Sequence, residues 1–351
     1  MPKTIRNVFD KHLNFEAFYQ ASLRVCKTKR NKVEVLRYNV DLETNIINLM
    51  DRIIDGKYKL GKYREFIVKE PKERIIKALP FQDRIVHQWY IHEFIKPYII
   101  PRFISDTYAC IDNRGTHKAV LKVQKYMRLM QKEYGSYYIL KCDIKKYFYS
   151  INKNILFKIL SKYIGDKKLL DFTKILIYDS NDEIGIPIGN YTSQYFANIY
   201  LNELDQYIKH KLKVKYYVRY MDDFVLLVKT KDDAKELLFK IEKFLTENLK
   251  LTLNSKSRYY PNAMGVNFCG YRIFETHRLL RKRSKDKIRK NINKWNKKYK
   301  ENKLDITASI TSFKAWLGHS NHCNSYNLQR KMYAKISFKD RMYIKNITNC
   351  L

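Results

Sequence analysis

The stretch YVRYMDDFVLLV, residues 217–228, places two adjacent carboxylates, Asp222 and Asp223, inside apolar and aromatic sequence. Its flanks alternate or run apolar, as the strands of a half-buried or buried hairpin do. The ordinary interpretation of such a pair is a solvated Asp-Asp turn. The alternative is a bound divalent cation such as Mg²⁺, which takes carboxylate oxygens and keeps water or phosphate oxygens as its other ligands. The rest of the sequence decides between these interpretations.

The overall charge of the chain favours a polyanionic partner. Its 351 residues carry 70 Lys and Arg against 35 Asp and Glu, a formal net charge of +35. Such a surface repels itself unless polyanions neutralise it, and nucleic acid is the commonest polyanion. With 45% hydrophobic residues, the chain can also fill the cores of more than one structural unit.

The sequence has no feature of a membrane protein or a secreted protein. It contains no run of about 18 apolar residues that could span a bilayer, and its first residues, MPKTIRNVFDKHL, lack the apolar core of a signal peptide. The six cysteines form no CxxC pair, which is typical of reduced thiols. The segment HSNHC at 319–323 lacks a second Cys/His pair at zinc-finger spacing, so we expect no metal there. We therefore expect a cytoplasmic protein without membrane association.

Hydrophobic periodicity predicts an α+β organisation. Helices are predicted at 41–55, about 82–94, from about 152, from about 193, at about 232–249 and at 281–302. Strands are predicted at 137–144, 217–228 and 251–254, and a small basic hairpin at 63–80. The order strand, helix, strand pair, helix and strand indicates a small antiparallel sheet backed by helices.

The predicted sheet can gather three carboxylates. Asp143 ends the strand YYILKCDI, on the same side as Lys141, and the hairpin presents Asp222 and Asp223. If these elements are neighbours, the acids can hold two Mg²⁺ ions for an in-line displacement at phosphorus. In a chain of this charge, the sequence therefore points to phosphoryl transfer.

Several motifs occur in the order and spacing of reverse transcriptase palm motifs. They are DIKKYF (143–148), IGNYTSQ (188–194), YMDD (220–223), the lysine of LNSKSR (253–258) and the FCGY turn (268–271). Upstream, the segments at 69–86 and 103–120 resemble the fingers of bacterial reverse transcriptases, and the resemblance covers roughly residues 20–335.

The resemblance implies an α+β right-hand polymerase with fingers, a palm of small antiparallel sheet backed by helices, and a helical basic thumb. The expected domains are a basic helical extension (1–60), fingers (61–135), a palm (136–280) with a fingers insertion around 161–187, and a thumb (281–351). Trp295 and Trp316 are expected to belong to the thumb core rather than to stack on bases.

Within this superfamily the chain most resembles the reverse transcriptases of diversity-generating retroelements. Group II intron enzymes usually carry Gln-Gly and Ser-Pro where this chain has Ile188-Gly189 and Ser193-Gln194. The resemblance implies a bacterial, archaeal or phage-encoded enzyme that copies a retroelement template RNA into error-prone, adenine-mutagenic cDNA. It also implies an RNA-DNA hybrid product and a basic oligomeric accessory protein. The alternatives are another bacterial reverse transcriptase, from a group II-like, CRISPR-associated or phage-defence system, and a non-catalytic RNA-binding scaffold.

The resemblance also implies roles for individual residues. Two Mg²⁺ ions, with Mn²⁺ as an alternative, and dNTP substrates are the implied cofactor and substrates. The metal-binding set is Asp143, Ile144, Asp222 and Asp223. Lys256 corresponds to the lysine thought to protonate the departing pyrophosphate.

The implied nucleotide site centres on Phe148, whose ring would exclude a 2′-hydroxyl and so select dNTPs; a core phenylalanine is the alternative. Gly189 would let the backbone approach the nucleotide because it has no Cβ. Lys69 and Arg74 would neutralise the triphosphate, and Arg can grip two phosphate oxygens. The remaining members are Ile188 and Gln194 in the nucleotide site, and Cys269, Gly270 and Tyr271 at the primer end.

Overall fold

The structure, a computed structural model, describes residues 4–69, 73–180 and 182–339. The chain divides into two compact units. Unit 1 comprises residues 1–114, 142–215 and 237–257, and unit 2 comprises residues 115–141, 216–236 and 258–351. Neither unit is continuous in sequence, so the predicted domain boundaries stay a prediction.

The secondary structure is mixed. The α-helices are α1 (Phe9–His12), α2 (Phe15–Cys26), α3 (Val33–Val40), α4 (Leu42–Ile54), α5 (Phe81–Tyr90), α6 (Lys96–Tyr98), α7 (Thr116–Tyr134), α8 (Tyr147–Ser150), α9 (Lys153–Ser161), α10 (Lys167–Ile177), α11 (Tyr191–Gln206), α12 (Lys231–Leu249), α13 (Lys282–Lys300), α14 (Ile306–Ser320) and α15 (Tyr326–Ala334). The strands are β1 (Arg64–Val68), β2 (Arg74–Ala78), β3 (Tyr138–Asp143), β4 (Tyr217–Tyr220), β5 (Asp223–Val228), β6 (Arg258–Pro261), β7 (Val266–Phe268), β8 (Tyr271–Ile273) and β9 (Arg278–Leu280).

Unit 1 is built around packed helices. Helix α5 packs against α2 and α11, and Trp89 of α5 stacks on Phe18 of α2 with ring centroids 4.6 Å apart. Helix α2 begins at Phe15 because the Asn14 side chain caps it by accepting the N–H of Ala17. The hairpin β1–β2 is antiparallel, as predicted for 63–80. Its turn, residues 70–72, lies outside the described residues.

One prediction in unit 1 is confirmed and one needs correction. The helix expected at about 82–94 forms, as α5 followed without a break by a π-helical turn, Ile91–Ile95. The strand expected at 251–254 does not form, and only Leu253 makes an isolated bridge, to Ile144. The chain turns instead after Asn254, whose carbonyl accepts the N–H of Ser257. At the other end of the segment, the Leu251 N–H donates to the Leu245 carbonyl, so the backbone groups at both ends are not available for a longer ladder.

Unit 2 contains two small sheets. In the first, the strand order is β4-β5-β3-β6, with β4 antiparallel to β5 and β3 antiparallel to β6. Helix α7 packs against β4 and β5, so the sheet is backed by a helix as the sequence predicts. The second sheet has the order β7-β8-β9 and is antiparallel throughout.

The last three helices of unit 2 share a core of their own. Ile288 and Ile292 of α13 are buried, and each contributes about 1.5–3 kcal/mol of hydrophobic stabilisation. Trp295 and Trp316 pack against this core and are partly buried, which confirms the prediction that they are core residues. The other faces of α13 expose Lys and Arg side chains, as expected from the sequence.

Within the described ranges, no helix combines the length and the apolar character needed to cross a membrane.

Candidate active site

The predicted acidic hairpin forms in unit 2. Tyr220 pairs with Asp223, so Met221 and Asp222 form a two-residue turn between β4 and β5. Met221 has φ +57°, a left-handed conformation that is uncommon for a residue with a side chain. The guanidinium of Arg219, which is fully buried, donates a 2.9 Å hydrogen bond to the Met221 carbonyl. The turn that carries the acids is therefore held from the interior of the unit.

Asp223 has a cationic partner within the same unit. Lys141 of β3 forms an ion pair with the Asp223 carboxylate. The Lys141 ammonium also lies 5.5 Å from the centroid of the Phe268 ring. This partnership makes an ordinary solvated turn a poor description, because Asp223 is only 31% exposed.

Asp143 is the last residue of β3 and belongs to unit 1. Asn254 holds it twice: the Asn254 N–H donates to the Asp143 carbonyl at 2.7 Å, and Asn254 Nδ2 donates to Oδ2 at 3.1 Å. The Asp143 N–H donates to Ser257 Oγ at 3.1 Å. The turn at 254–257 therefore fixes the backbone of Asp143 and orients its half-exposed carboxylate.

Lys256 lies in this same turn. Its N–H donates a 3.1 Å hydrogen bond to Asn254 Oδ1, and its side chain is exposed. The turn at 254–257 thus contains both the residues that hold Asp143 and the predicted proton donor, Lys256.

The chemistry of the predicted metal ligands suits Mg²⁺, which prefers hard carboxylate oxygens and retains water or phosphate ligands. Asp143 lies in unit 1, whereas Asp222 and Asp223 lie in unit 2, so their convergence stays a prediction. Within the described ranges, no group of three or more His, Cys, Asp or Glu side chains forms a metal site by itself. The side chain of Ile144 is buried, and Ile144 pairs with Leu253 through the backbone.

The predicted nucleotide loop contacts the β1–β2 hairpin through its backbone. The Lys77 N–H of β2 donates a 2.8 Å hydrogen bond to the Ile188 carbonyl. At Gly189, φ is +131°, and a Cβ would lie 2.4 Å from the Lys77 carbonyl oxygen. The close approach that requires glycine is thus an approach to the hairpin backbone. The expected approach to a nucleotide stays a prediction.

We expect Gly189→Ala to lower the free energy of unfolding more than Gly115→Ala. Both glycines have nearly the same φ, +131° and +129°, so both substitutions introduce a strained alanine, at a cost of about 1–3 kcal/mol. An alanine Cβ at 115 meets no atom within 4 Å, whereas one at 189 must displace Lys77. Denaturant unfolding of both variants measures the difference. Equal losses of unfolding free energy in the two variants would show that the hairpin backbone shifts to accommodate the Cβ at no further energetic cost.

Phe148 lies in the short helix α8, and its ring is half-buried rather than part of the closed core. The ring meets that of Tyr147 edge-on, with centroids 5.8 Å apart. The Phe148 carbonyl accepts the N–H of Ile186 at 2.9 Å, which ties it to the loop that leads into Ile188. Its partial exposure is compatible with the predicted contact to a nucleotide.

The other predicted nucleotide contacts are exposed. Lys69 follows β1, and Arg74 begins β2 opposite Val68, so both lie at the turn end of the hairpin. Gln194 is in the first turn of α11, where its Oε1 is 3.4 Å from the Cys110 sulfur. Exposed cations on a hairpin suit the predicted binding of a triphosphate.

The predicted primer turn is a tight hairpin. Phe268 pairs with Tyr271, and the two residues between them, Cys269 and Gly270, have φ +45° and +91°. Positive φ at both central positions is the conformation of a type I′ turn, which suits the twist of the flanking strands. Burial raises the pKa of Cys269 to about 12, so its thiol is neutral and unreactive at pH 7.

A histidine cluster surrounds Tyr271. The Tyr271 hydroxyl donates to the His319 carbonyl at 2.8 Å and lies 2.9 Å from His319 Nδ1 and 3.1 Å from His117 Nε2. The His117 and His322 rings stack at 3.5 Å. Burial, and then the neighbouring His322, lower the pKa of His117 and His319, so these imidazoles are neutral near pH 7.

Sequence reasoning missed the residues that support the site. Arg219, Lys141 and Asn254 hold the turns that carry the three aspartates. The available signal for Arg219 was a cation inside an apolar strand, which must find a partner if the strand is buried. Asn254 lies two residues before Lys256 in the sequence. It carried no signal that distinguishes it from a surface asparagine.

Comparisons with known proteins agree on one family. Residues 67–273 match the family described as reverse transcriptase (RNA-dependent DNA polymerase). The chain is 24% identical to the COX1/OXI3 intron 2 protein of Saccharomyces cerevisiae, over 66% of this chain and 33% of that protein. It is 26% identical to protein YkfC of Escherichia coli, over 68% of this chain and 71% of that protein. The chain thus spans about a third of the length of the yeast relative.

A solved structure of apo telomerase from Candida tropicalis has a similar fold. The TM-score is 0.51 and the sequence identity 12%, with 86% of this chain and 62% of the telomerase chain covered. At this identity the likeness concerns the fold alone.

Proposed function

Because the chain belongs to the reverse transcriptase (RNA-dependent DNA polymerase) family and has its α+β right-hand polymerase fold, we propose that it copies an RNA template into DNA. The observation that carries this proposal is the YMDD hairpin. Its two aspartates lie at a turn with a left-handed Met221, which the buried Arg219 holds in place. A strained turn persists only where surrounding structure holds it, and such turns are frequent at functional sites.

Divalent metal ions and dNTPs are used by the family in general. We propose that the carboxylates of Asp143, Asp222 and Asp223 hold two Mg²⁺ ions, with the main chain of Ile144 beside Asp143. Bound there, Mg²⁺ lowers the pKa of the attacking primer hydroxyl and stabilises charge on the leaving pyrophosphate. Lys141 neutralises part of the charge on Asp223 within unit 2.

The remaining residues act on the nucleotide and the primer. Lys69 and Arg74 bind the triphosphate as exposed cations, and Lys256 donates a proton to the departing pyrophosphate. The nucleotide site also includes Phe148, Ile188, Gly189 and Gln194, and the primer end is held by the turn Cys269, Gly270 and Tyr271.

The basic surface supports binding of the template RNA and of the RNA-DNA hybrid. The net charge is +35, and the exposed faces of α13 carry Lys and Arg with few acids among them. Contacts between such cations and phosphates release counterions, so we propose that binding weakens steeply as salt rises.

We further propose that the enzyme belongs to a diversity-generating retroelement, is bacterial, archaeal or phage-encoded, and acts in the cytoplasm. The support is the sequence Ile188-Gly189 with Ser193-Gln194, where group II intron enzymes usually have Gln-Gly and Ser-Pro. A basic oligomeric accessory protein would then accompany it. Another bacterial reverse transcriptase fits the family membership equally well.

Primer extension on a defined RNA template with labelled dNTPs tests the activity. The expected result is a full-length cDNA that requires Mg²⁺ and the RNA template. RNA binding without extension in Mg²⁺ or Mn²⁺ would favour the RNA-binding scaffold instead.

Ile188→Gln is expected to lower the error rate while DNA synthesis persists. Isoleucine offers an incoming nucleotide only its shape, whereas an amide can hold it by a hydrogen bond worth about 0.5–1.5 kcal/mol. That range corresponds to roughly two- to tenfold fewer errors. The contact of residue 188 with Lys77 uses its backbone, so the substitution leaves this contact intact. Sequencing of cDNA made from a defined RNA measures the effect.

The matched control is Ile184→Gln on the same loop, where the isoleucine is 59% exposed and no nucleotide contact is proposed. Wild-type errors should fall chiefly at template adenines if the subfamily assignment is correct. Errors that are no commoner at adenine, and that Ile188→Gln does not change, would contradict both the role of Ile188 and the assignment.

A further inference from the structure

Unit 1 contains a buried polar network that none of the proposed chemical steps uses. Lys153 Nζ donates to Asp179 Oδ1 at 2.8 Å, and the Tyr63 hydroxyl donates to Asp179 Oδ2 at 2.6 Å. Asn190 Nδ2 in turn donates to the Tyr63 oxygen at 2.7 Å. These four residues are called the buried polar network below. It joins segments from four separate parts of the sequence.

The ion pair at one end of the network is closed to solvent. The side chains of Lys153 and Asp179 are 1% and 4% exposed. Lys153 Nζ has a second acceptor in Ser180 Oγ at 3.0 Å, so its charge is well compensated. Burying an ion pair has a desolvation cost that apolar residues of similar volume do not have, so this pair is weak evidence for stability. Such a pair can instead favour one specific conformation.

Asn190 lies at the other end, in an arrangement that does not maximise stability. It occupies the N-cap position of α11, where asparagine is among the best capping residues, but its side chain caps no helix N–H. Its Nδ2 is directed to Tyr63 instead, and Asn190 Oδ1 is buried without a hydrogen-bond partner within the described residues. An unpaired buried acceptor is unfavourable, so such groups call for an explanation other than stability.

The network connects to the proposed nucleotide loop at two places. Asn190 directly follows Gly189, the residue with no room for a Cβ beside Lys77. Tyr63 directly precedes β1, and its ring lies 6.0 Å from the Lys77 ammonium. The Tyr63 hydroxyl thus links the start of the β1–β2 hairpin to Asn190, the residue that follows Ile188 and Gly189.

We propose that Tyr63, Asp179 and Lys153 are positioning residues that hold Asn190, and through it Ile188 and Gly189, in the geometry that binds the incoming nucleotide. This inference rests on the proposed function. Ser180 holds the Lys153 ammonium, and Lys153 fixes the Asp179 carboxylate. The carboxylate fixes the Tyr63 hydroxyl, which in turn fixes the Asn190 amide. Burial and the Asp179 carboxylate raise the pKa of Tyr63 well above its usual value, so the hydroxyl keeps the proton it donates.

Tyr63→Phe is the test variant because it removes one oxygen and keeps the ring and the Lys153–Asp179 ion pair. We expect the KM for dNTP to rise about three- to tenfold, the effect of losing one hydrogen bond. The value of kcat should stay within about twofold, since no group that contacts the reacting atoms changes. Asn190→Ala should raise the KM by a similar factor, and the double variant should add little more.

Tyr58→Phe is the matched control. The Tyr58 hydroxyl also donates to a buried aspartate, Asp83, at 2.8 Å within unit 1, and the second described donor to Asp83 is the Gly61 N–H rather than a group of the nucleotide loop. We expect it to lower thermal stability as much as Tyr63→Phe does and to leave the KM for dNTP unchanged. Equal KM changes in both variants would overturn the proposal, because they would show general loosening of the unit.

Hydrogen exchange separates this inference from the proposed function. The Lys77 amide, which donates to Ile188, should exchange about three- to tenfold faster in Tyr63→Phe than in the wild type and the Tyr58→Phe control. If the wild type makes no cDNA, the proposed function fails, and this exchange rate alone decides whether Tyr63 holds the loop. An unchanged Lys77 exchange rate together with an unchanged KM would refute the positioning role.

Discussion

Asp222→Asn is expected to reduce DNA synthesis by about a thousandfold or more while RNA binding stays within a few fold. A neutral amide cannot replace a carboxylate that balances a divalent cation, and metal ions contribute several kcal/mol to such transition states. Each 1.4 kcal/mol is about a factor of ten in rate. Binding of RNA depends on a surface of net charge +35, of which one carboxylate is a small part.

The chain offers a matched control in a second Asp-Asp pair. Asp232 and Asp233 lie in the first turn of α12, where acids suit the helix dipole, and both are exposed. Asp232→Asn therefore removes the same charge from the same unit without touching the proposed metal site, and we expect it to retain full synthesis. Primer extension and filter binding on one RNA, with all three proteins, measure both quantities. If Asp222→Asn loses binding and synthesis equally, the hairpin has a structural role.

Asp222 also illustrates what the sequence could predict. The hairpin and its two acids follow from a local pattern, in which apolar strands flank a polar turn. The register, which pairs Tyr220 with Asp223, was not predicted. The helices at 41–55 and 281–302 also follow from a local pattern, because three to five turns of apolar spacing define a buried stripe. A pattern of this length predicts its own element because it does not depend on contacts with distant parts of the sequence.

The supporting contacts were beyond prediction because they join residues far apart in sequence. Tyr63 and Asp179 are 116 positions apart, and Asp143 and Asn254 are 111 apart. No local pattern distinguishes Lys153, which is buried in an ion pair, from the many lysines on the surface. The strand expected at 251–254 failed for a different reason, because hydrogen bonds from Leu251 to Leu245 and from Ser257 to Asn254 leave only the bridge between Leu253 and Ile144. Local propensity favoured a strand, and the backbone hydrogen bonds at its two ends decided otherwise.

For Gly189, the sequence correctly predicted a position that requires glycine but gave an incomplete reason for it. Glycine was expected where a nucleotide approaches the backbone, but the atom nearest to a Cβ there is the Lys77 carbonyl oxygen. Sequence can show that a position needs φ > 0 or close packing. It cannot show which partner is close.

Phe148→Ala is expected to lower the preference for dNTPs over rNTPs by about 10- to 100-fold, which is the discrimination that filling or emptying a small hydrophobic space provides. The half-buried ring lies on α8, and its backbone is tied to Ile186, so it stays in place while its edge remains accessible. Removing it opens space for a 2′-hydroxyl but leaves the metal ligands and the loop unchanged. Synthesis with dNTPs should therefore persist within a few fold.

Loss of an aromatic ring also removes packing, so the effect of the substitution on nucleotide selection must be separated from its effect on stability. Phe157→Ala is the matched control, because Phe157 is likewise half-buried in unit 1, its ring centroid lies 6.2 Å from that of Tyr178, and no substrate contact is proposed for either residue. Phe148→Val provides a second variant that keeps more apolar volume and should give an intermediate preference. Single-nucleotide incorporation with each dNTP and its ribonucleotide measures the ratio for every variant. If Phe148→Ala lowers the melting temperature like Phe157→Ala but leaves the ratio unchanged, Phe148 packs as a core ring, and the selection of deoxynucleotides must come from another side chain.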